Sequence, residues 1–124
     1  MTVLVVDDDP MCVKLIETVL EGAGLKVCSA SNPETTLNAI EERKPELILM
    51  DLRLPGIDGL LLSHLVKLNP SSTHIPIIGM TAYTELFTRK QALDVGCVAL
   101  IEKPIDTRDL VKLVDLHMWQ RKLA

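Results

Sequence analysis

Short apolar runs alternate with longer amphipathic segments five times along the chain, and no other feature limits the fold so strongly. Val3 to Val6, Leu47 to Met50, Ile75 to Met80 and Val98 to Ile101 are continuous apolar runs of strand length. Runs with no polar alternation read as strands covered on both faces, which is the mark of a parallel sheet. Lys26 to Ala30 is more mixed, as expected of a strand at the sheet edge. Between the strands lie helical patterns: 10–23, opened by Asp9-Pro10 and closed near Gly24, and 33–43, opened by Asn32-Pro33. A third runs over 58–68 with Leu61, His64, Leu65 and Leu68 on one side, and a fourth over 84–95. The fifth covers 106–122 with Leu110, Val111, Val114 and Met118 facing inward. The order is (βα) repeated five times, an α/β fold in which right-handed crossovers place helices on both faces of a parallel five-stranded sheet. At 124 residues, with no linker, repeat or low-complexity segment, the expectation is one domain over 1–124.

Composition removes several functional classes. A formal charge of −4 and no basic cluster argue against direct nucleic-acid binding, which depends on cationic side chains neutralising phosphates. No apolar run approaches a membrane span, and the N-terminus lacks a signal-peptide pattern, so a soluble cytoplasmic protein is expected. Three cysteines without metal-ligand spacing suit a reducing compartment. Cys12 falls in a helical stripe with Ile16, Val19, Leu20 and Ala23 and reads as core.

In such a fold the functional crevice lies beyond the carboxyl ends of the strands. The first strand ends in Asp7-Asp8, the third in Asp51, the fourth in Thr81-Ala82 and the fifth in Lys103-Pro104. Each alone has an ordinary structural reading as a turn, cap or solvated residue. Together they deliver three carboxylates, a hydroxyl and an ammonium to one edge. At a few ångströms in a partly desolvated site each carboxylate pair repels by roughly 4 kcal/mol, unless one is protonated or a cation sits between them. Asp9, followed by Pro10, reads as a helix cap.

Val-Val-Asp7-Asp8, Leu-Met-Asp51-Leu-Arg-Leu-Pro55-Gly-Ile-Asp58-Gly59, Met-Thr81-Ala82 and Glu-Lys103-Pro104 resemble, in order and spacing, the motif set of response regulator receiver domains of two-component signal transduction. The resemblance covers essentially the whole chain. It implies a flavodoxin-like, doubly wound sheet of order 2-1-3-4-5, and makes Asp51 the phosphoacceptor. It also implies Mg²⁺ held by Asp8, Asp51, Asp7 through water, and the backbone carbonyl of Arg53. Thr81, Ala82 and Lys103 would meet the phosphoryl oxygens, and Pro104 would follow a cis bond. The implied donor is a sensor histidine kinase or a histidine phosphotransfer protein, and the implied target a downstream effector or output domain. The reporting surface would be the fourth helix, fifth strand and fifth helix, on a monomer or a phosphorylation-dependent dimer. Such a protein is a signalling phosphoacceptor rather than an enzyme of turnover. No output segment follows the fifth helix, so a stand-alone receiver is expected, the alternative being the receiver part of a larger regulator or hybrid kinase.

Leu100 occupies the position where the family usually carries an aromatic coupled to the threonine, so the activation route differs from the common one. It is either an aliphatic steric element, or is replaced in its role by Tyr83 or Phe87; Phe87 reads as core. Arg53 and Tyr83, two residues after Asp51 and Thr81, are large enough to shield a phosphoryl group from water. Two rivals remain. Haloacid dehalogenase-type phosphatases use a strand-end Asp-x-Asp, which residues 7–9 superficially supply, but Met11 stands where that family needs Thr or Val and its late acid pair is missing. A phosphorylation-independent interaction module is disfavoured because every pocket residue is intact. His64 and His74 lack partners at ligand spacing and carry no metal site.

Overall fold

The computed structural model describes residues 1–54, 56–83 and 88–123, and of 119–123 the backbone alone. Its elements are β1 (Thr2–Val6), α1 (Pro10–Gly22), β2 (Lys26–Ala30), α2 (Pro33–Arg43), β3 (Leu47–Asp51), β4 (Arg53–Leu54), β5 (Ile57–Asp58), α3 (Gly59–Leu68), β6 (Ile77–Thr81), α4 (Arg89–Asp94), β7 (Ala99–Glu102) and α5 (Thr107–Leu123). The main sheet has the order β2-β1-β3-β6-β7, every pairing parallel. Its five strands, taken in chain order, follow the expected 2-1-3-4-5.

Strand residues alternate between two apolar layers, as a period of two requires. Val3, Val5, Leu47, Leu49, Ile78 and Met80 pack under α1 and α5, against Ile16, Leu20, Leu110, Val114 and Met118. Leu4, Val6, Ile48, Met50 and Ile77 face the other way, under α2, α3 and α4, against Ile40, Leu62, Val66 and Ala92. Each fully buried Leu or Ile contributes about 1.5–3 kcal/mol relative to exposure. That cover on both faces explains why the central strands carry no polar alternation.

Two helix starts follow the expected caps: Asp9 accepts the Met11 N–H, and Asn32 forms a capping box with Thr35. Asp58, read as the first residue of the third helix, instead caps it and accepts the Leu60 N–H. Three sequence readings need correction. The α3 side carrying Leu61, His64, Leu65 and Leu68 is exposed, and the helix buries Gly59, Leu62, Ser63 and Val66 instead. The fourth sheet strand begins at Ile77 rather than Ile75, although Ile75 and Pro76 are buried and Pro76 O still accepts the Ile48 N–H. The fourth helix starts after Thr88, whose side chain forms a capping box with Gln91. Residues 84–87, Phe87 among them, lie outside the described residues, as does the Trp119 side chain. The antiparallel pair β4–β5 was not anticipated; Gly56 turns between its strands at φ +82°.

Candidate phosphoacceptor and metal site

Register brings the strand ends to one place. Val6 pairs with Met50, Asp51 with Met80, and Thr81 with Glu102, so the residues at or just past those ends share one sheet edge. Asp7 leaves β1 with its N–H on Ala30 O, and the Lys103 N–H donates to Thr81 O. The hydrogen bond from Leu52 N–H to Met80 O extends the β3–β6 pairing past Asp51. Gly59 fixes the other flank: its N–H donates to Leu52 O, and a Cβ there would lie 2.3 Å from the Asp51 carbonyl oxygen and 2.5 Å from Leu52 Cα. Only a residue without a side chain lets α3 start so close behind Asp51.

Asp7, Asp8 and Asp51 each present a carboxylate oxygen within 4.8 Å of the others, the arrangement of a divalent-cation site. Asp51 is 6% exposed and Asp7 is buried, whereas Asp8 is open to solvent. The Lys103 ammonium donates to Asp7 Oδ2 at 2.8 Å and to Asp51 Oδ2 at 3.3 Å. Backbone N–H groups hold the remaining oxygens: Asp9 N–H on Asp7 Oδ1 at 2.9 Å, and Arg53 N–H on Asp51 Oδ1 at 3.0 Å. Three carboxylates and one ammonium leave two negative charges, which a divalent cation balances. All donors are hard oxygens, the kind Mg²⁺ prefers, and the exposed Asp8 side leaves room for the waters that Mg²⁺ retains.

Titration behaviour follows from this crowding. Burial first, and then the neighbouring Asp7 charge, push the Asp51 carboxyl up to about 6, against the Arg53 N–H and Lys103. For Asp7, burial works the same way but is outweighed by the Lys103 hydrogen bond and the Asp9 N–H, so its carboxyl lies below the ordinary value. Lys103 is disfavoured as a cation by burial, yet its two carboxylate partners hold it above the usual lysine range. Cys12 is half-buried against the α1–α5 layer as expected, but sequence reasoning missed that it neighbours Asp7. Burial and that carboxylate push its thiol up to about 12, so it stays protonated.

The cleft above Asp51 is lined by Asp8, Asp9, Arg53, Leu54, Ala82, Tyr83 and Lys103. Thr81 is buried, and its Oγ1 accepts the Tyr83 N–H at 2.9 Å. Asp9 and Leu54 were not foreseen as cleft residues. Leu100 and Pro104 are not in it. They line a separate groove between β7 and α5, and Lys103–Pro104 is cis as expected. Leu100 also packs inward: its Cδ1 and both Leu52 methyls lie 3.2–3.3 Å from where a Gly79 Cβ would stand.

Comparison with known proteins agrees with this geometry. The sequence model of the response regulator receiver domain matches residues 3–115. The phosphate regulon transcriptional regulatory protein PhoB of Pseudomonas aeruginosa is 39% identical over 110 residues, covering 89% of this chain and 48% of that protein. The polar-differentiation response regulator DivK of Brucella anthropi is 29% identical, covering 94% of this chain and 95% of its own. The chain thus spans about half of PhoB and, at 12%, a small part of the sensor histidine kinase GacS of Pseudomonas protegens. Among solved structures, the receiver domain of a Pseudomonas aeruginosa sensor histidine kinase, with a magnesium ion coordinated in its active site cleft, superposes with a TM-score of 0.85. It is 26% identical and covers 94% of this chain and 96% of that one. With this family match spanning nearly the whole chain, the fold in the order the family uses, and the acid cluster at the strand ends, the protein belongs to the response regulator receiver domain family of two-component systems.

Proposed function

We propose that this receiver accepts a phosphoryl group on Asp51 from a phosphohistidine of a sensor histidine kinase or histidine phosphotransfer protein, and thereby changes the surface it offers to an effector or output domain. The observation that carries the reading is the buried Asp51 carboxylate, held by Lys103 at 3.3 Å with Asp7 and Asp8 oxygens within 4.8 Å. Asp7, Asp8, Asp51 and the Arg53 carbonyl would hold Mg²⁺, which when bound offsets negative charge on both the carboxylate and the incoming phosphoryl group. An Asp51 oxygen attacks phosphorus, the P–N bond to the histidine breaks, and the imidazole leaves with the electron pair and takes up a proton. Lys103 balances the charge on the acyl phosphate. Thr81, held by the Tyr83 N–H, still has its hydroxyl proton to donate to a phosphoryl oxygen, and Ala82 lines the cleft where such an oxygen would sit.

In this reading Leu100 takes the aliphatic steric role: it packs beside Gly79 against the apolar layer that includes Leu52, next to Asp51, and it also lines the β7–α5 groove. That aliphatic packing would stand where the family usually carries the aromatic. The protein acts as a phosphoacceptor and not as a turnover enzyme, and a cytoplasmic setting fits a kinase partner. No helix among the described residues is long and apolar enough to cross a membrane. The test is transfer of labelled phosphate from a panel of purified histidine kinases, with Mg²⁺ or with chelator. Transfer to the parent, none to Asp51→Asn, and weakened Mg²⁺ dependence in Asp8→Ala are expected. Label retained by Asp51→Asn would overturn the assignment.

A further inference from the structure

β2 is an outer strand of the main sheet, paired with β1 on one side. The Lys26 N–H donates to Met1 O and Ala30 O accepts the Asp7 N–H, so these even-numbered residues turn backbone polar groups towards β1. By the alternation of a parallel ladder, Val27 and Ser29 turn theirs to the free edge. That edge lies in a trough. Two hollows of about 380 and 510 Å³ adjoin along it and share Glu17 of α1, Ser29 of β2 and Thr35 of α2. Each is lined by both helices and by the strand, so β2 forms the floor and α1 and α2 form the walls. Small side chains line it at Ser29, Ala30, Ser31 and Ala39, which leaves room for another backbone beside the strand.

We infer that this trough docks one extended segment of a partner protein, which adds to β2 as a sixth strand and carries basic side chains. Outward N–H and C=O groups on a sheet edge are a template for main-chain pairing. The recess decides against a second copy of this chain as the occupant. In an edge-to-edge dimer the α1 and α2 walls of both copies would meet before the two β2 strands closed to the spacing of about 4.8 Å that a sheet requires. A single strand brings no walls of its own. Charge decides which side chains that strand carries. Asp7 is taken by Lys103, and of the remaining charged residues along the trough Asp8, Glu17 and Glu42 outnumber Lys14 and Arg43, on a chain with a net charge of −4. An acidic segment would meet like charge there, whereas a basic one is drawn in. The trough lies at the sheet edge opposite β7, and its use does not require Asp51 to be phosphorylated.

The probe is a synthetic, end-blocked heptapeptide that alternates threonine and valine with lysine. It is compared with the same peptide carrying glutamate for lysine, and with one whose central residue is proline. Each is titrated into the isotope-labelled full chain at low ionic strength, and amide shifts and hydrogen exchange are followed. The lysine peptide should shift the Val27 and Ser29 amides, slow their exchange, and bind roughly tenfold more tightly than the glutamate peptide. The proline peptide, with a donor removed from the added strand, should bind at least several-fold more weakly. Ser29→Pro takes away one outward N–H at an edge position where proline is tolerated, and should lose binding while keeping its circular dichroism spectrum. Glu17→Lys/Glu42→Lys leaves the strand backbone alone and should reverse the preference between the lysine and glutamate peptides. Unchanged exchange at Val27 and Ser29, equal affinity for the two charged peptides, or full binding by Ser29→Pro would each overturn the proposal. So would a dimer in sedimentation that protects the same two amides without peptide, since a second copy would then be the occupant.

Discussion

Asp51 sets function against stability. Its carboxyl rises from the ordinary 3.8 to about 6, chiefly through burial and then through Asp7. A folded-state value above the unfolded one means the folded chain binds that proton more tightly. The associated stability is present in full below 3.8 and is lost as the pH rises through about 6. Asp7 runs the other way, since its lowered value gives stability above the ordinary carboxylate range that is lost on acidification. Asp51→Asn removes the buried charge, so at neutral pH without metal it should be more stable than the parent by on the order of 2 kcal/mol. The gain should shrink towards about pH 5. Thermal melting in chelator at both pH values measures this, and a variant less stable than the parent at neutral pH contradicts it. The residues of this site were legible in the sequence because strand ends fix where side chains emerge. The stacking of the Arg53 guanidinium over the Tyr83 ring was legible only as two large residues near Asp51, because their contact depends on the path of two loops.

The elements were legible where pattern and caps agreed, as at Asp9-Pro10 and Asn32-Pro33, and failed where they did not. Helix α3 carries leucine on several sides, so apolar periodicity could not choose its inner face, and the inner face even contains Ser63, fully buried and without a hydrogen-bond partner among the described residues. What orients the helix is the backbone approach of Gly59 to Asp51 and Leu52, a steric fact that periodicity does not encode. The two-residue strands β4 and β5 are too short for any alternation to show; the Pro-Gly dipeptide at 55 and 56 was their only signal. Two predictions follow from this geometry. Gly59→Ala should cost about 2 kcal/mol or more, since the added methyl meets backbone that cannot rotate away. It should also perturb the Asp51 and Leu52 amide resonances; an unchanged melting temperature would contradict the close approach. Leu62→Ala should cost about 2–5 kcal/mol, while Leu65→Ala on the exposed side should change stability by no more than about 0.5 kcal/mol. Denaturant unfolding separates the two, and equal losses would restore the face that periodicity suggested.

At the scale of the molecule, a sheet buried on both sides is a rigid platform, and its carboxyl edge gathers charged groups from three strands, with the Thr81 hydroxyl from a fourth. The two apolar layers hold β1, β3, β6 and β7 in a register that leaves Asp7, Asp51, Thr81 and Lys103 little freedom to move apart. The most direct test is to treat the protein with a small acyl phosphate and Mg²⁺, digest it quickly, and map the modified peptide by mass, alongside Asp51→Asn and a sample in chelator. A single phosphoryl group confined to Asp51, absent from the variant and from the chelated sample, is predicted. Modification at any other residue, or undiminished uptake by Asp51→Asn, would contradict the account.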